Sequence, residues 1–348
     1  MHKIRLGVIG TGMAFERLHL PALQQLQDKY QIVAICDQNQ DKLERWRQEL
    51  GLDPSAAYTD YRQMLKRSDI DAFDILVPIE SNFTLMETVA QAGKPIICEK
   101  PLAPTREQAE KARNLTKKYN VPILIAENYR YNEENNIIRD LVRTKAIGDV
   151  IYFMHNRMIN FPHDMYQDTF AATDWRQHPR FPGGVIYDTG VHDVAALRHI
   201  FGAIESVHAF GVPQSRDFAP YIVIQTNFKF KSGVIGNFSF CTAGQEPQRP
   251  LVGLRIFGTN GMIYLEEPSC GTINVAFNDG NSQQLQYQPN RGFYNELVNF
   301  YQAAVGNEPI SVPPEMEFGD AETIFAILES IKSGKVVKVD RTQEYAYV

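Results

Sequence analysis

Over its first 127 residues the chain alternates short runs that are apolar throughout with longer stretches whose apolar positions recur at helical spacing. The short runs are residues 4–10, 31–37 (QIVAICD), 72–77 (AFDILV), 95–99 (PIICE) and 121–127 (VPILIAE). Unbroken apolarity marks strands covered on both faces, as in a parallel sheet. Between them, residues near 13–28, 40–50, 82–92 and 105–119 read as helices. Gly51 and Gly93 stop two of these just past the last turn, and Thr105 is an N-cap for a third. Pro21 must bend the first helix or sit in an early turn of it. Strands alternating with helices predict a doubly wound α/β domain.

The texture changes after about residue 127. A helix near 133–145 closes at Gly148, and long runs of strand character follow at 150–158, 204–211, 221–230, 233–240, 254–257 and 262–266. The tetrapeptide GTNG at 258–261 is a candidate hairpin turn, because Asn-Gly tolerates positive φ at both central positions; KSG at 231–233 is another. Short connections between strands predict a large, mostly antiparallel sheet. Helices near 188–201, 292–305 and 318–333 are expected on one face of it. The predicted architecture is a Rossmann domain over residues 1–126 and an α+β domain over 127–348.

Composition changes this picture little. The 348 residues carry a formal net charge of -6 and no long Lys/Arg run, so no electrostatic footprint for nucleic acid is present. No apolar run reaches the length of a membrane span, and the N-terminus enters a strand without the pattern of a signal peptide. The four cysteines form no CxxC pair, which suits reduced thiols and a cytoplasmic location.

Candidate chemistry gathers at four places. Gly10-Thr11-Gly12-Met13-Ala14-Phe15 joins the first strand to the first helix. Gly10 allows the tight turn, Gly12 lets backbone approach a pyrophosphate, and the helix N-terminus favours the anion. Phe15 stands where a third glycine is usual; its bulk is expected either to push the helix from the sheet or to face the ligand. Asp37 ends the second strand, where a carboxylate accepts hydrogen bonds from adenosine ribose hydroxyls and repels a 2′-phosphate. With Gln38, Asn39 and Gln40 following it, NAD is favoured over NADP. The second place is Glu99-Lys100-Pro101, at the carboxyl end of a strand, where ligands bind in such sheets. Pro101 restricts Lys100 to an extended conformation or forms a cis bond with it; a solvated surface lysine is the bland alternative. Third, Asp188 and His192 are four apart and share a helix face, an arrangement suited to acid–base work. An exposed polar pair is the plain alternative, and a metal site with His155, His163 or His178 is another, although no compact set of three ligands is evident. Fourth, Trp175-Arg176 lies in the loop before Gly183-Gly184 and is placed to contact a cofactor or an anionic group, or merely to pack.

Together these segments resemble the Gfo/Idh/MocA oxidoreductases. The carriers are GVIGTGMAFERLHLPAL at the start, AGKPIICEKPLAPT near residue 100, ENYRYN at 127–132, IGDV at 147–150 and GGVIYDTGVHDVAALRHIFG at 183–202. The resemblance implies an NAD(P)-binding Rossmann domain and a substrate-binding α+β domain whose open sheet mediates homodimers or homotetramers. It implies that Lys100, Asp188 and His192 are catalytic. Cofactor contacts carry over to Gly10, Thr11, Gly12, Met13, Ala14, Asp37, Pro78, Asn82, Glu99, Lys100, Asn128 (or Arg130), Trp175 and Arg176, with no metal. One departure is VPIESN at 77–82, which puts Asn82 where the family often has histidine. The implied reaction is hydride transfer between NAD(P) and a secondary alcohol or ketone of a sugar or polyol. Alternatives are an NAD-binding regulator without turnover, a glycosidase or epimerase using NAD transiently, and a metal-dependent isomerase. The loop over 155–181, with Asn160, His163, Asp164, Tyr166 and His178, suits a polyol; Arg157, Arg176 and Arg180 would suit a carboxylate or phosphate on the substrate.

Overall fold

A computed structural model describes residues 3–339. They form two compact units, residues 3–128 with Phe293–Phe318, and Tyr129–Gly292 with residues 319–339.

The first unit contains six strands, β1 (Ile4–Ile9), β2 (Tyr30–Cys36), β3 (Ala57–Tyr58), β4 (Ala72–Ile75), β5 (Ile96–Glu99) and β6 (Ile123–Ala126). All pairings are parallel and the spatial order is β3-β2-β1-β4-β5-β6. Leu6, Val8, Ala34, Ile35, Phe73, Ile75, Ile96 and Ile97 are buried, which is why these runs lack polar alternation. The order reverses between β1 and β4, and the crevice at such a switch point is where doubly wound sheets bind ligands.

The first helix is irregular. Phe15–His19 is a π-helical turn, followed by an α-helix over Leu20–Gln25. Leu20 N–H reaches back to Phe15 O, and Pro21 has no N–H to give the preceding turn. Phe15 is fully buried and meets Trp46 edge-on at 5.1 Å. Of the two expectations for Phe15, that of facing a ligand is corrected: the ring is buried against Trp46 of the helix Gln40–Glu49. The stretch 105–119 also divides, into Arg106–Ala112 and Leu115–Tyr119, although Thr105 caps it by accepting from Gln108 N–H at 3.3 Å.

A second correction concerns the helix Gly292–Ala304, expected on the second sheet. From Phe293 onward it belongs to the first unit, where Tyr30 Oη donates to Leu297 O at 2.6 Å. Amphipathic spacing shows that a helix has a buried face, not which sheet covers it.

The second unit contains β7 (Val150–Met158), β8 (Ile204–Pro213), β9 (Tyr221–Phe230), β10 (Ile235–Cys241), β11 (Gly253–Gly258), β12 (Gly261–Leu265), β13 (Thr272–Phe277), β14 (Ser282–Gln286) and β15 (Val337–Lys338). Their order is β14-β13-β12-β11-β7-β10-β9-β8-β15. Only β7 and β10 pair in parallel; the other pairings are antiparallel. The β11–β12 turn is spanned by Thr259 and Asn260, neither of which has positive φ. The glycines of GTNG end the two strands, and a Cβ at Gly258 would meet Ile147 O at 2.2 Å. They serve close approach rather than the turn type expected. On the inner face, Phe201 of helix Gly190–Phe201 stacks on Phe153 at 4.8 Å. The outer face exposes Tyr152, Phe210, Val212 and Ile235.

Candidate active site

In the first unit the chain turns at Gly10 with φ +96°, where a Cβ would lie 2.2 Å from Leu76 O; only glycine lets the end of β1 pass the end of β4. At Gly12 a Cβ would meet nothing within 4 Å, leaving open space for a ligand to reach the backbone. Asp37 closes one side. Its Oδ2 accepts from Thr11 N–H at 2.8 Å and from Thr11 Oγ at 2.9 Å, while Oδ1 accepts from Asn39 N–H at 2.8 Å. Met13 and Ala14, half-buried, open the helix.

The Glu99-Lys100-Pro101 corner follows directly from β5. The Lys100–Pro101 bond is cis, and Lys100 is half-buried. Pro78 is the N-cap of helix Ile79–Gln91, which carries fully buried Asn82. The Asn82 amide donates to Glu99 O and to Pro101 O, both at 2.9 Å. One side chain thus clamps the carbonyls on either side of Lys100.

Sequence reasoning missed His19. It is fully buried, with Nδ1 3.0 Å from Asp74 Oδ2 and Nε2 3.3 Å from Glu99 Oε1. Its signal was its spacing four residues after Phe15, which puts it on the same inward face.

In the second unit, Asp188 ends a helical turn over Val185–Asp188, and His192 lies in the first turn of Gly190–Phe201. The continuous helix expected through both residues is interrupted at Thr189. Gly184, at φ +54°, starts this segment where a Cβ would meet Phe218 O at 2.1 Å. Arg176 Nε donates to Asp188 Oδ2 at 2.6 Å, and its guanidinium lies 4.0 Å from the Trp175 ring centroid. Trp175, Arg176 and Asp188, read separately in the sequence, are one cluster. The His192 ring stacks on Tyr129 at 4.7 Å, and Tyr129 Oη accepts from Arg157 at 3.1 Å. Beside them is a cavity of about 300 Å³ lined by Tyr129, His155, Arg157, Asp193, Arg249 and Glu267 among others. Burial pushes the Asp193 carboxyl up, but Arg157 and His155 outweigh it and hold the group below its ordinary range.

With this geometry in place, comparison with known proteins decides the family. The model of the oxidoreductase family with an NAD-binding Rossmann fold matches residues 4–127, and the model of the GFO/IDH/MocA C-terminal domain matches residues 136–264. The chain belongs to the Gfo/Idh/MocA oxidoreductase family.

Among relatives of this Gfo/Idh/MocA chain, an uncharacterised protein of Saccharomyces cerevisiae is 28% identical, covering 98% of the chain and 100% of the relative. Myo-inositol 2-dehydrogenase of Thermotoga maritima is 24% identical, covering 90% and 91%. The crystal structure of an oxidoreductase from Thermotoga maritima superposes with a TM-score of 0.85 at 28% identity, covering 98% of this chain and 100% of that one.

Two sequence candidates are placed differently from the rest. Asn128 is buried at the end of the first unit. Arg130 makes a bidentate ion pair with buried Asp320, with contacts of 2.7 Å from Nη2 to both carboxylate oxygens, and so is committed to structure. Among the described residues no group of three or more His, Cys, Asp or Glu is arranged to hold a metal ion. His178 pairs with Asp217 near the surface, away from any such group.

Proposed function

We propose that this Gfo/Idh/MocA chain is an NAD-dependent dehydrogenase, moving hydride between the nicotinamide and a secondary alcohol or ketone of a sugar, polyol or related small molecule. The observation that carries the reading is the lysine corner: Lys100 stands at the carboxyl end of a central strand in an NAD-binding fold, with its two flanking carbonyls clamped by one buried amide.

The residues at the glycine turn fit NAD. Backbone at Gly10, Thr11, Gly12, Met13 and Ala14 would hold the pyrophosphate beside the open space at Gly12, and Asp37 would take the ribose hydroxyls. Pro78, Asn82, Glu99 and Asn128 would border the rest of the cofactor in this unit; Trp175 and Arg176, in the second unit, are proposed as further cofactor contacts. When bound, NAD supplies the hydride acceptor or donor. Lys100 offers a fixed positive charge to the oxygen that gains charge in the transition state. His192 takes or returns the hydroxyl proton. Asp188, which accepts a charge-assisted hydrogen bond from Arg176, orients His192 or holds a neighbouring hydroxyl. The cavity beside Tyr129 offers His155, Arg157, Asp193, Arg249 and Glu267 as hydrogen-bonding groups for a ligand rich in hydroxyl groups.

We assign the first unit, residues 3–128 with Phe293–Phe318, to cofactor binding and the second, Tyr129–Gly292 with residues 319–339, to substrate binding and self-association. The outer face of the nine-stranded sheet, with Phe210 63% and Ile235 53% exposed, fits a second copy of the chain as homodimer or homotetramer. The four cysteines are free thiols and three of them are buried, in keeping with a reducing, cytoplasmic setting. No helix among the described residues is long and apolar enough to cross a membrane.

The test is an absorbance screen for NAD- and NADP-linked turnover across sugars, inositols and sugar acids. Lys100→Met is expected to lose about 100-fold or more in kcat while NAD binding, followed by calorimetry, is retained. A Lys100→Met variant with wild-type turnover contradicts the reading.

A further inference from the structure

His19 sits between two carboxylates, and its chemistry follows from that placement. A neutral imidazole has one N–H to donate and one bare nitrogen that accepts. Here both nitrogens face carboxylate oxygens, Asp74 Oδ2 at 3.0 Å and Glu99 Oε1 at 3.3 Å. Either neutral tautomer would set a lone pair against a lone pair in a site with no exposure, so the ring is doubly protonated. A third carboxyl, Glu296 from helix Gly292–Ala304, stands 3.9 Å from Nε2, and neither of its oxygens has a hydrogen-bond partner among the described residues. A buried carboxylate without a donor is strongly disfavoured, so Glu296 keeps its proton.

The electrostatics agree. Burial lowers the His19 imidazole, but Asp74 and then Glu99 outweigh it and hold the ring well above its ordinary range. Burial pushes the Glu296 carboxyl well up; His19 opposes this, and Glu99, Glu127 and Asp74 add to it. The groups facing His19 are therefore Asp74 from β4, Glu99 from β5, and Glu296 with the Phe293 ring from one helix.

Glu99 links this cluster to the site. One of its oxygens faces His19, and the other accepts the Lys100 backbone N–H at 3.1 Å. We propose that His19 is a positioning residue for Lys100: as a buried imidazolium it fixes the Glu99 carboxylate that holds the lysine's backbone, and it offsets negative charge next to that backbone. The consequence for turnover rests on the reading of Lys100 as catalytic; the placement of the lysine and its charge state do not.

Removing the imidazolium makes the surroundings of Lys100 more negative and favours its ammonium form. Removing the Glu99 charge does the opposite. The experiment is competitive trace labelling of amines in the full chain with an acylating reagent, following the peptide that contains Lys100 by mass spectrometry as pH is varied. His19→Gln is expected to raise the Lys100 midpoint by about half a pH unit or more, and Glu99→Gln to lower it by a similar amount. Glu296→Gln replaces a protonated carboxyl by a neutral isostere and should leave the midpoint in place. Midpoints that stay put in both His19→Gln and Glu99→Gln, or that move in the same direction, overturn the proposal, as does a Glu296→Gln shift as large as that of Glu99→Gln. If His19→Gln does not fold, Glu99→Gln decides by the same criterion. Shifts of opposite sign in a protein without NAD-linked turnover uphold the positioning role and defeat the dehydrogenase reading. Turnover with unmoved midpoints does the reverse.

Discussion

Asp320 is fully buried and takes ion pairs from two arginines, Arg130 and Arg198. Such a carboxylate adds little net stability over an apolar core of the same shape, but its removal takes the shared ion-pair partner from two desolvated cations. Asp320→Ala is therefore expected to cost about 3–5 kcal/mol, read from urea denaturation; a cost under about 1 kcal/mol would show that water reaches the arginines. Glu134 gives a pH-dependent case. Burial raises its carboxyl from 4.5 to about 7, so the folded state binds the proton more tightly than the unfolded chain. Its contribution to stability is complete below about pH 4.5 and is lost as pH rises through 7. Glu134→Gln should match the parent at the acid end of this window and exceed it by up to about 3 kcal/mol above it. Equal stability of the two proteins at all pH values would contradict this assignment.

At the scale of elements, the glycine turn and the lysine corner were legible because they obey local rules. A strand followed by GTG, a carboxylate at the next strand's end, and a Lys-Pro step after a buried strand are each read within a few residues. Asp37 also does something the sequence did not show, which is to fasten the turn through Thr11. Asp37→Ser should weaken NAD binding by about tenfold or more and narrow the preference over NADP, as measured by calorimetry with both cofactors. Unchanged affinity for both would remove Asp37 from the cofactor site. What was not legible depends on distant partners. His19 gains its meaning from Asp74 and Glu99, 55 and 80 residues away, and Asn82 from carbonyls across a strand end. The Arg176–Asp188 bond crosses an irregular loop in which no periodicity announces a partner. Strands β3 and β15 are two residues long, and β14 (SQQLQ) is a polar edge strand; neither kind leaves an apolar pattern to read.

At the scale of the whole molecule, two family signatures and two compact units agree on the fold, and the proposed self-association is assigned to the outer sheet face. Phe210 is exposed on β8, so Phe210→Asp should leave the fold intact while shifting the sedimentation profile from oligomer toward monomer; an unchanged profile would place the interface elsewhere. The central claim is that Lys100 and His192 serve one proton and hydride transfer. Its most direct test is a double-mutant cycle on kcat, with Lys100→Met, His192→Asn and the combined variant assayed on the first substrate found by the screen. Groups that share one transition state give strongly non-additive losses, so the double variant is expected to be within about tenfold of the slower single variant. Losses that simply multiply would mean that the two residues act independently and would contradict the account.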